Sequence, residues 1–344
     1  MFKFLPAINA AKKCPIDFSK YINIRKELHT FHEPGFNNLE TQKYLLSYLE
    51  KLGISQSQIN ICKPNGFYFT IRGESKCEEK KGFTIGFRSD IDGLPIKDEL
   101  NSSYTSKNGS GHLCGHDGHM AMMLALVEIL HKNKAIIPEN VSIRILFQPA
   151  EETAEGAIEM VKCGAIDNVD EIYMFHSWNE LPIGQVYLKE GSETSNSIIF
   201  RIEVEGRGTH GSTPEKGADP ISTLGEIHQG LFKIKSMGVA AKDIVVISVG
   251  KLSAGEVDNV IPSFGYMEGT IRLFEERVKI SVLEQMNRLC EYIPKAFECK
   301  GKLIIVRDLP AVKNAKDQTN LVKGNIFNIL NDSNCITTDP LLCG

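Results

Sequence analysis

Apolar residues recur at helical spacing over 17–30 and again over 38–52, where Gly53 stops the run, so two amphipathic helices are predicted there. Short apolar or β-branched runs at Phe67–Arg72 and Phe83–Arg88, bounded by glycine and charge, read as strands. Met120–His131 is a nearly unbroken run of good helix formers, Val141–Phe147 a strand of the buried type, Ala157–Cys163 a helix stopped by Gly164, and Glu171–Phe175 another strand. Strand alternating with helix implies an α/β sheet, in which polar sites collect beyond the carboxyl ends of the strands.

Past Gly191 the pattern changes. Ile198–Glu205 alternates as a strand, Asp219–Lys233 is helical, Asp243–Gly250 and Gly265–Arg272 are strands, Glu275–Tyr292 is helical and Lys302–Arg307 is a strand. That βαββαβ order is the split motif of a small two-layer sandwich. It predicts an inserted domain over 195–308, flanked by a first domain of 1–194 that resumes over 309–344. A chain of 344 residues also exceeds the size at which one core stops growing, which favours two domains.

The polar residues at the strand ends carry the candidate chemistry. His112-Leu113-Cys114-Gly115-His116-Asp117-Gly118-His119 places a thiol, three imidazoles and a carboxylate in eight residues, on the loop feeding a helix. Thiolate and imidazole two residues apart in a glycine-containing loop converge on one ion, and sulfur with nitrogen suits zinc or a similar metal. A lone cysteine here would read as a small buried hydrophobe; in this company it reads as a ligand. Asp117 and His119 read as supporting groups or helix-start residues. Glu151 and Glu152 follow a buried strand and Pro149; adjacent on an extended or loop backbone, their side chains point apart, so one binds metal while its neighbour faces the substrate water. His176 ends the apolar run Ile172-Tyr173-Met174-Phe175 and is the natural fourth protein ligand. Asp90 and Asp92 end a strand likewise; Asp90 could orient a ligand or the base, and the default reading of both is turn formation before Gly93-Leu94-Pro95.

Composition narrows the partners. A formal net charge of −4 with 24% charged and 42% hydrophobic residues marks the chain for neither nucleic acid nor an anionic membrane. No apolar run reaches the length of a membrane span, and the N-terminal run is too short for a signal peptide. Nine cysteines, odd in number and without a Cys-x-x-Cys pair, fit a reducing compartment, so a cytoplasmic location is expected. Gly206-Arg207-Gly208-Thr209-His210-Gly211 matches a dinucleotide fingerprint by letters alone; Ser212-Thr213-Pro214 follows where a helix would have to start at once, so no dinucleotide is expected.

Arg88-Ser89-Asp90-Ile91-Asp92-Gly93-Leu94-Pro95, the His112–His119 cluster, Phe147-Gln148-Pro149-Ala150-Glu151-Glu152, His176, Gly206-x-Gly208-x-His210 and Asn259-Val260-Ile261-Pro262, in that order, resemble the metal-dependent amidohydrolase family of hippurate hydrolases, aminoacylases, auxin-conjugate hydrolases and N-acetyldiaminopimelate deacetylase. Arg25-Lys26-Glu27-Leu28-His29 with Glu33-Pro34-Gly35-Phe36 is similar to its N-terminal signature. The resemblance implies a phosphorylase/aminopeptidase-like catalytic domain with a mostly parallel sheet, plus an inserted ferredoxin-like α+β dimerisation (lid) domain. It implies Cys114, His116, Glu152 and His176 as ligands of two divalent ions (manganese, zinc or cobalt), Glu151 as general base and Asp90 as its catalytic support. His210, Asn259 and Arg272 become substrate-binding residues, the last through a guanidinium fork suited to a carboxylate. The expected reaction is hydrolysis of the amide of N-acyl amino acids or peptide-like substrates by a homodimer. In the family a last histidine ligand lies near the C terminus, and none follows His228 here; Gly93 also stands where alanine is commoner. The alternatives are therefore a truncated, catalytically impaired homologue and a carboxypeptidase or dipeptidase relative.

Overall fold

In the computed structural model, residues 16–31, 33–73, 82–107, 109–330 and 335–336 are described. Contacts divide the chain into two units, Met1–Asn179 and Glu180–Gly344.

The first unit begins with α1 (Phe18–His29), started by Asp17, whose side chain accepts the Lys20 N–H. Then follow α2 (Leu39–Lys51), β1 (Ile59–Cys62), β2 (Gly66–Arg72), β3 (Phe83–Asp90), α3 (His116–Lys132), β4 (Val141–Gln148), α4 (Gly156–Lys162) and β5 (Glu171–Met174). The strands form one sheet in the order β1-β2-β4-β3-β5. Successive side chains of a strand point to opposite faces. Accordingly Phe67, Phe69, Ile85, Ile143, Ile145 and Phe147 join Leu28, Leu45, Leu49, Met120 and Leu124 of α1 to α3 in one core, whereas Leu146 and Tyr68 meet Met160 of α4 on the other side. Each fully buried aliphatic or aromatic side chain in these layers contributes roughly 1.5–3 kcal/mol.

The sheet is mixed rather than mostly parallel. β3 pairs parallel with β4 and β5, but β2 pairs antiparallel with both β1 and β4. β1 escaped the sequence reading because only four residues, half of them exposed, form it. The parallel core matters most for position: Asp90 sits beside Gln148, and Arg88 beside Met174, so the carboxyl ends of β3, β4 and β5 meet.

A disulfide joins Cys62 on β1 to Cys163 after α4, 101 residues apart in sequence. This departs from the expected reduced thiols, since spacing along the chain gives no sign that the sheet edge and the helix end adjoin.

The second unit runs β6 (Val186–Tyr187), β7 (Gly191–Ser192), β8 (Asn196–Glu205), β9 (Thr209–His210), α5 (Pro220–Lys233), β10 (Val245–Ala254), β11 (Val260–Ile261), β12 (Phe264–Leu273), α6 (Glu276–Ala296), β13 (Lys300–Leu309), β14 (Lys313–Asn314), α7 (Lys316–Leu330) and β15 (Cys335–Ile336). Strands β10-β12-β8-β13 form an antiparallel sheet, two interleaved β-α-β units with the first strands central. Ile198, Phe200, Ile202 and Val204 of β8 pack with Leu224, Ile227, Val282 and Met286 of α5 and α6. After the Gly206–Gly211 motif the chain forms only a short 3-10 turn, and α5 starts at Pro220, capped by Asp219; no helix N-terminus follows the glycines. Among the described residues no helix is long and apolar enough to cross a membrane.

Glu128 on α3 ties the helical layer together. It accepts hydrogen bonds from Lys20 and Tyr21 of α1, Tyr48 of α2 and Lys132 of α3. Burial alone would raise its carboxyl, but the bonds from Lys132, Lys20, Tyr21 and Tyr48 outweigh it and hold the group well below the usual carboxylate range. A depressed folded pKa stabilises the fold above the ordinary value of 4.5 and loses that contribution as pH falls. Glu128→Gln should therefore lower stability by about 1–3 kcal/mol at neutral pH. Urea unfolding should show the gap between wild type and variant closing as the pH is taken below the ordinary glutamate value; a gap independent of pH would contradict this origin.

Candidate metal centre

Cys114 and His116 converge because the residue between them has a left-handed backbone. Gly115 lies at φ +90°, and a Cβ there would stand 2.3 Å from Ser177 Oγ, so only glycine fits. α3 starts at His116, earlier than the sequence pattern indicated, so His116, Asp117 and His119 belong to its first turn rather than to the preceding loop. On the β4 side the chain turns at Ala150, a non-glycine residue at φ +50°, which swings the glutamate pair off the strand.

Two buried aspartates organise these pieces. The Asp92 carbonyl accepts the His116 Nδ1–H at 2.8 Å, while its carboxylate accepts the backbone N–H groups of Glu151 (3.1 Å) and Glu152 (3.2 Å). Asp92 thus aims His116 Nε2 and both glutamates at once, where the sequence reading had given it a turn-forming role. Asp90 accepts from Arg88 Nη1 at 2.6 Å and from His119 Nδ1 at 2.7 Å. Burial alone would raise Asp90, but the His119 hydrogen bond and Arg88 outweigh it and hold the carboxyl well below the usual range.

Two overlapping groups of donor atoms lie within 4.8 Å of one another: Cys114, His116 and Glu152, and Asp90, His116, His119 and His176. Hydrogen bonding separates them. His119 Nε2 accepts the Ser177 N–H at 2.8 Å and its Nδ1–H is given to Asp90, so both nitrogens are in use. That arrangement suits a supporting role for His119 beside the candidate donors. His176 donates Nδ1–H to the Ser177 carbonyl at 2.7 Å, leaving Nε2 to face Cys114 Sγ at 3.5 Å. His116 Nε2 and Glu152 Oε1 are buried 3.8 Å apart with no hydrogen-bond partner. An imidazole that gives one N–H to a carbonyl and keeps the other nitrogen open is arranged as metal-binding histidines are. The donor set of one thiol, two imidazoles and a carboxylate thus fits divalent ions of the zinc type.

The donor groups shift one another's charge states. Burial would lower His116, but its interactions with Asp92, Cys114 and Asp90 override this and push it up to about 11. His116 draws the Cys114 thiol down, yet burial and Glu152 outweigh that and keep it above its ordinary value. Burial raises Glu151, although Arg88 and His116 pull the other way, while burial lowers His176 and keeps it neutral. Binding a cation here releases protons and settles the anionic cluster. His112, pushed down to about 4 by burial, is neutral and belongs to neither donor group.

In the second unit β9 pairs with β11, setting His210 beside Val260 and so beside Asn259, whose carbonyl accepts the Gly211 N–H at 2.7 Å. His210 Nδ1 accepts the Ser212 N–H at 3.1 Å, so its exposed Nε2 carries the proton. Arg272 lies near the far end of β12, roughly 25 Å along the strand from its start at Phe264.

Residues 86–323 match the model of the peptidase family M20/M25/M40. The chain belongs to that family. M20 enzymes of this kind are metal-dependent amide hydrolases, and the chain is one of them. It is 33% identical over 297 residues to an N-acetylcysteine deacetylase of Bacillus subtilis, covering 86% of this chain and 76% of the relative. It is 32% identical to an N-acetyldiaminopimelate deacetylase of Priestia megaterium, covering 82% and 73%. Among solved structures, a dinuclear metal binding peptidase of the M20 family from Bacillus subtilis superposes with a TM-score of 0.78 at 29% identity, covering 95% of this chain and 83% of that one.

Asp92→Asn, which presents an amide N–H2 to one of the two glutamate N–H groups, should lower metal affinity about 10–100-fold. Competition with a chromophoric chelator measures it, and an unchanged affinity would remove Asp92 from the organising position.

Proposed function

We propose that this M20 chain hydrolyses the amide bond of N-acyl amino acids, in the manner of a hippurate hydrolase or aminoacylase, with two divalent ions held by Cys114, His116, Glu152 and His176. One observation carries the reading: buried, partnerless His116 Nε2 and Glu152 Oε1 face each other beside Cys114 and His176, with the Glu151 carboxyl adjoining. The dinuclear metal binding of the Bacillus subtilis neighbour supports the ion count, and the two deacetylase relatives support the substrate class. Manganese, zinc and cobalt all suit the donors.

Bound divalent ions supply Lewis acidity toward a carbonyl oxygen and make water a stronger nucleophile at neutral pH. Glu151 takes a proton from the attacking water and passes it to the departing amine nitrogen. Its raised carboxyl suits both halves of that task, since a base nearer the working pH is also the better acid afterwards. Asp90 holds His119, and through it the Ser177 peptide next to His176. We further assign the His210 Nε2–H to the substrate's carbonyl oxygen at a partner subunit's site, and either Asn259 or Arg272 to the substrate's carboxylate, the two standing too far apart along β12 for one chain to use both. Residues 195–308 are proposed as an inserted dimerisation domain on a catalytic domain of 1–194 and 309–344, its support being the split β-α-β order of the second unit's sheet. A cytoplasmic location rests on cysteine usage alone, and the Cys62–Cys163 bond weighs against it.

A second reading, a carboxypeptidase, is favoured by 30% identity over 325 residues to thermostable carboxypeptidase 1 of Saccharolobus solfataricus. Protein loaded with Mn²⁺, Zn²⁺ or Co²⁺ should release free amino acid from hippurate or N-acetyl amino acids, and Glu151→Gln should cut kcat by about 10²–10⁴ without loss of metal. Preference for peptides with a free N-terminus over the N-acyl compounds would favour the second reading. Silence of the metal-loaded wild type across the panel would defeat both and leave a catalytically impaired relative.

A further inference from the structure

Resting on the assignment of His116 as a ligand, we infer that His29 of α1 is a positioning residue of the metal centre, fixing the first turn of α3 through Asp117. The helix that carries His116 begins without any side-chain cap; its N-cap is Gly115. What holds that turn instead is a chain of alternating charge, buried at Asp98, His29 and Asp117 and reaching the surface at Arg25. His29 Nδ1 lies 2.8 Å from Asp117 Oδ2 and Nε2 lies 3.2 Å from Asp98 Oδ2. Carboxylates only accept, so both ring nitrogens donate, and the geometry makes His29 an imidazolium between two anions. Arg25 Nε joins Asp117 Oδ2 at 2.7 Å, while Asp117 Oδ1 accepts the Gly118 N–H at 2.8 Å. Asp98 in turn is anchored by the N–H groups of Leu100 (2.8 Å) and Ser106 (2.9 Å). Tyr104 closes the outside, its ring beside both His29 and Arg25.

The network balances two negative charges with two positive ones, so its contribution lies in orientation. Buried ion pairs are poor sources of net stability compared with apolar side chains of the same volume, which makes placement the better account of four charges spent on one helix turn. Asp117 is the residue next to His116. A turn free to rock would carry His116 Nε2 with it, and ligand distances tolerate only about 0.2 Å. His29 reaches the ion through two intermediaries, Asp117 and the helix backbone, and never touches it.

The test titrates Co²⁺ into the full chain, following both affinity and the thiolate-to-cobalt charge-transfer band that Cys114 would give. His29→Gln should weaken binding about 10–100-fold and alter the band. Glu128→Gln loosens the same pair of helices at the opposite end of α3 and controls for stability: it should leave affinity and band unchanged. Should His29→Gln fail to fold, the double variant with Asp98→Asn, which removes one charge of each sign, takes its place. Unchanged cobalt binding in the folded variant, or equal losses in Glu128→Gln, would overturn the inference. Wild-type binding that ignores Cys114→Ser would overturn the ligand assignment and this inference with it, and that result is read before any His29 variant is made.

Discussion

Two carboxylates with no exposure to solvent, Asp90 and Asp92, stand at the carboxyl end of β3, and neither is tolerable there unless its oxygens are fully engaged. The groups that engage them are the same ones that present the candidate ligands. Asp92 holds the His116 ring by its carbonyl and the glutamate pair by its carboxylate, and Asp90 holds His119, which receives the Ser177 N–H next to His176. Satisfying two buried anions and assembling the metal centre are thus one requirement. The parallel pairing of β3 with β4 and β5 is what delivers the three loops to that point.

The same crowding explains the charge state of the site. His116 is pushed up, Cys114 kept up and Glu151 raised, all in one small volume. Local strain accompanies this at Ala150, a non-glycine residue in left-handed backbone just before the glutamate pair, and such conformations persist where surrounding contacts over-determine them; Gly115, between Cys114 and His116, takes the same region without strain.

Support for α3 comes from two unlike attachments. Near Glu128 the tie is a single carboxylate receiving four donors, and near His116 it is the Asp98, His29, Asp117, Arg25 chain. The first serves the fold alone. The second holds an otherwise uncapped first turn, one residue from a proposed ligand, and its contribution there is orientation.

Much of this was legible in the chain itself. Hydrophobic periodicity located α1 to α6 and the longer strands, because a period of 3.6 or 2 is a local property that packing only ratifies, but it missed α7 and, among the described residues, seven short strands of two to four residues. The candidate donors and the proposed base were marked there too, since thiol, imidazole and carboxylate chemistry is written in side-chain identity. What tertiary structure alone decided was which atom of each residue is free. Asp92 and Glu151, His119 and Ser177, and His29 and Asp117 meet across 59, 58 and 88 residues, and Cys62 finds Cys163 across 101. The antiparallel turn of β2 against β4 was equally hidden. Hydrogen-bond partners at such separations are set by how the sheet closes, and no local pattern of apolar and polar positions encodes that.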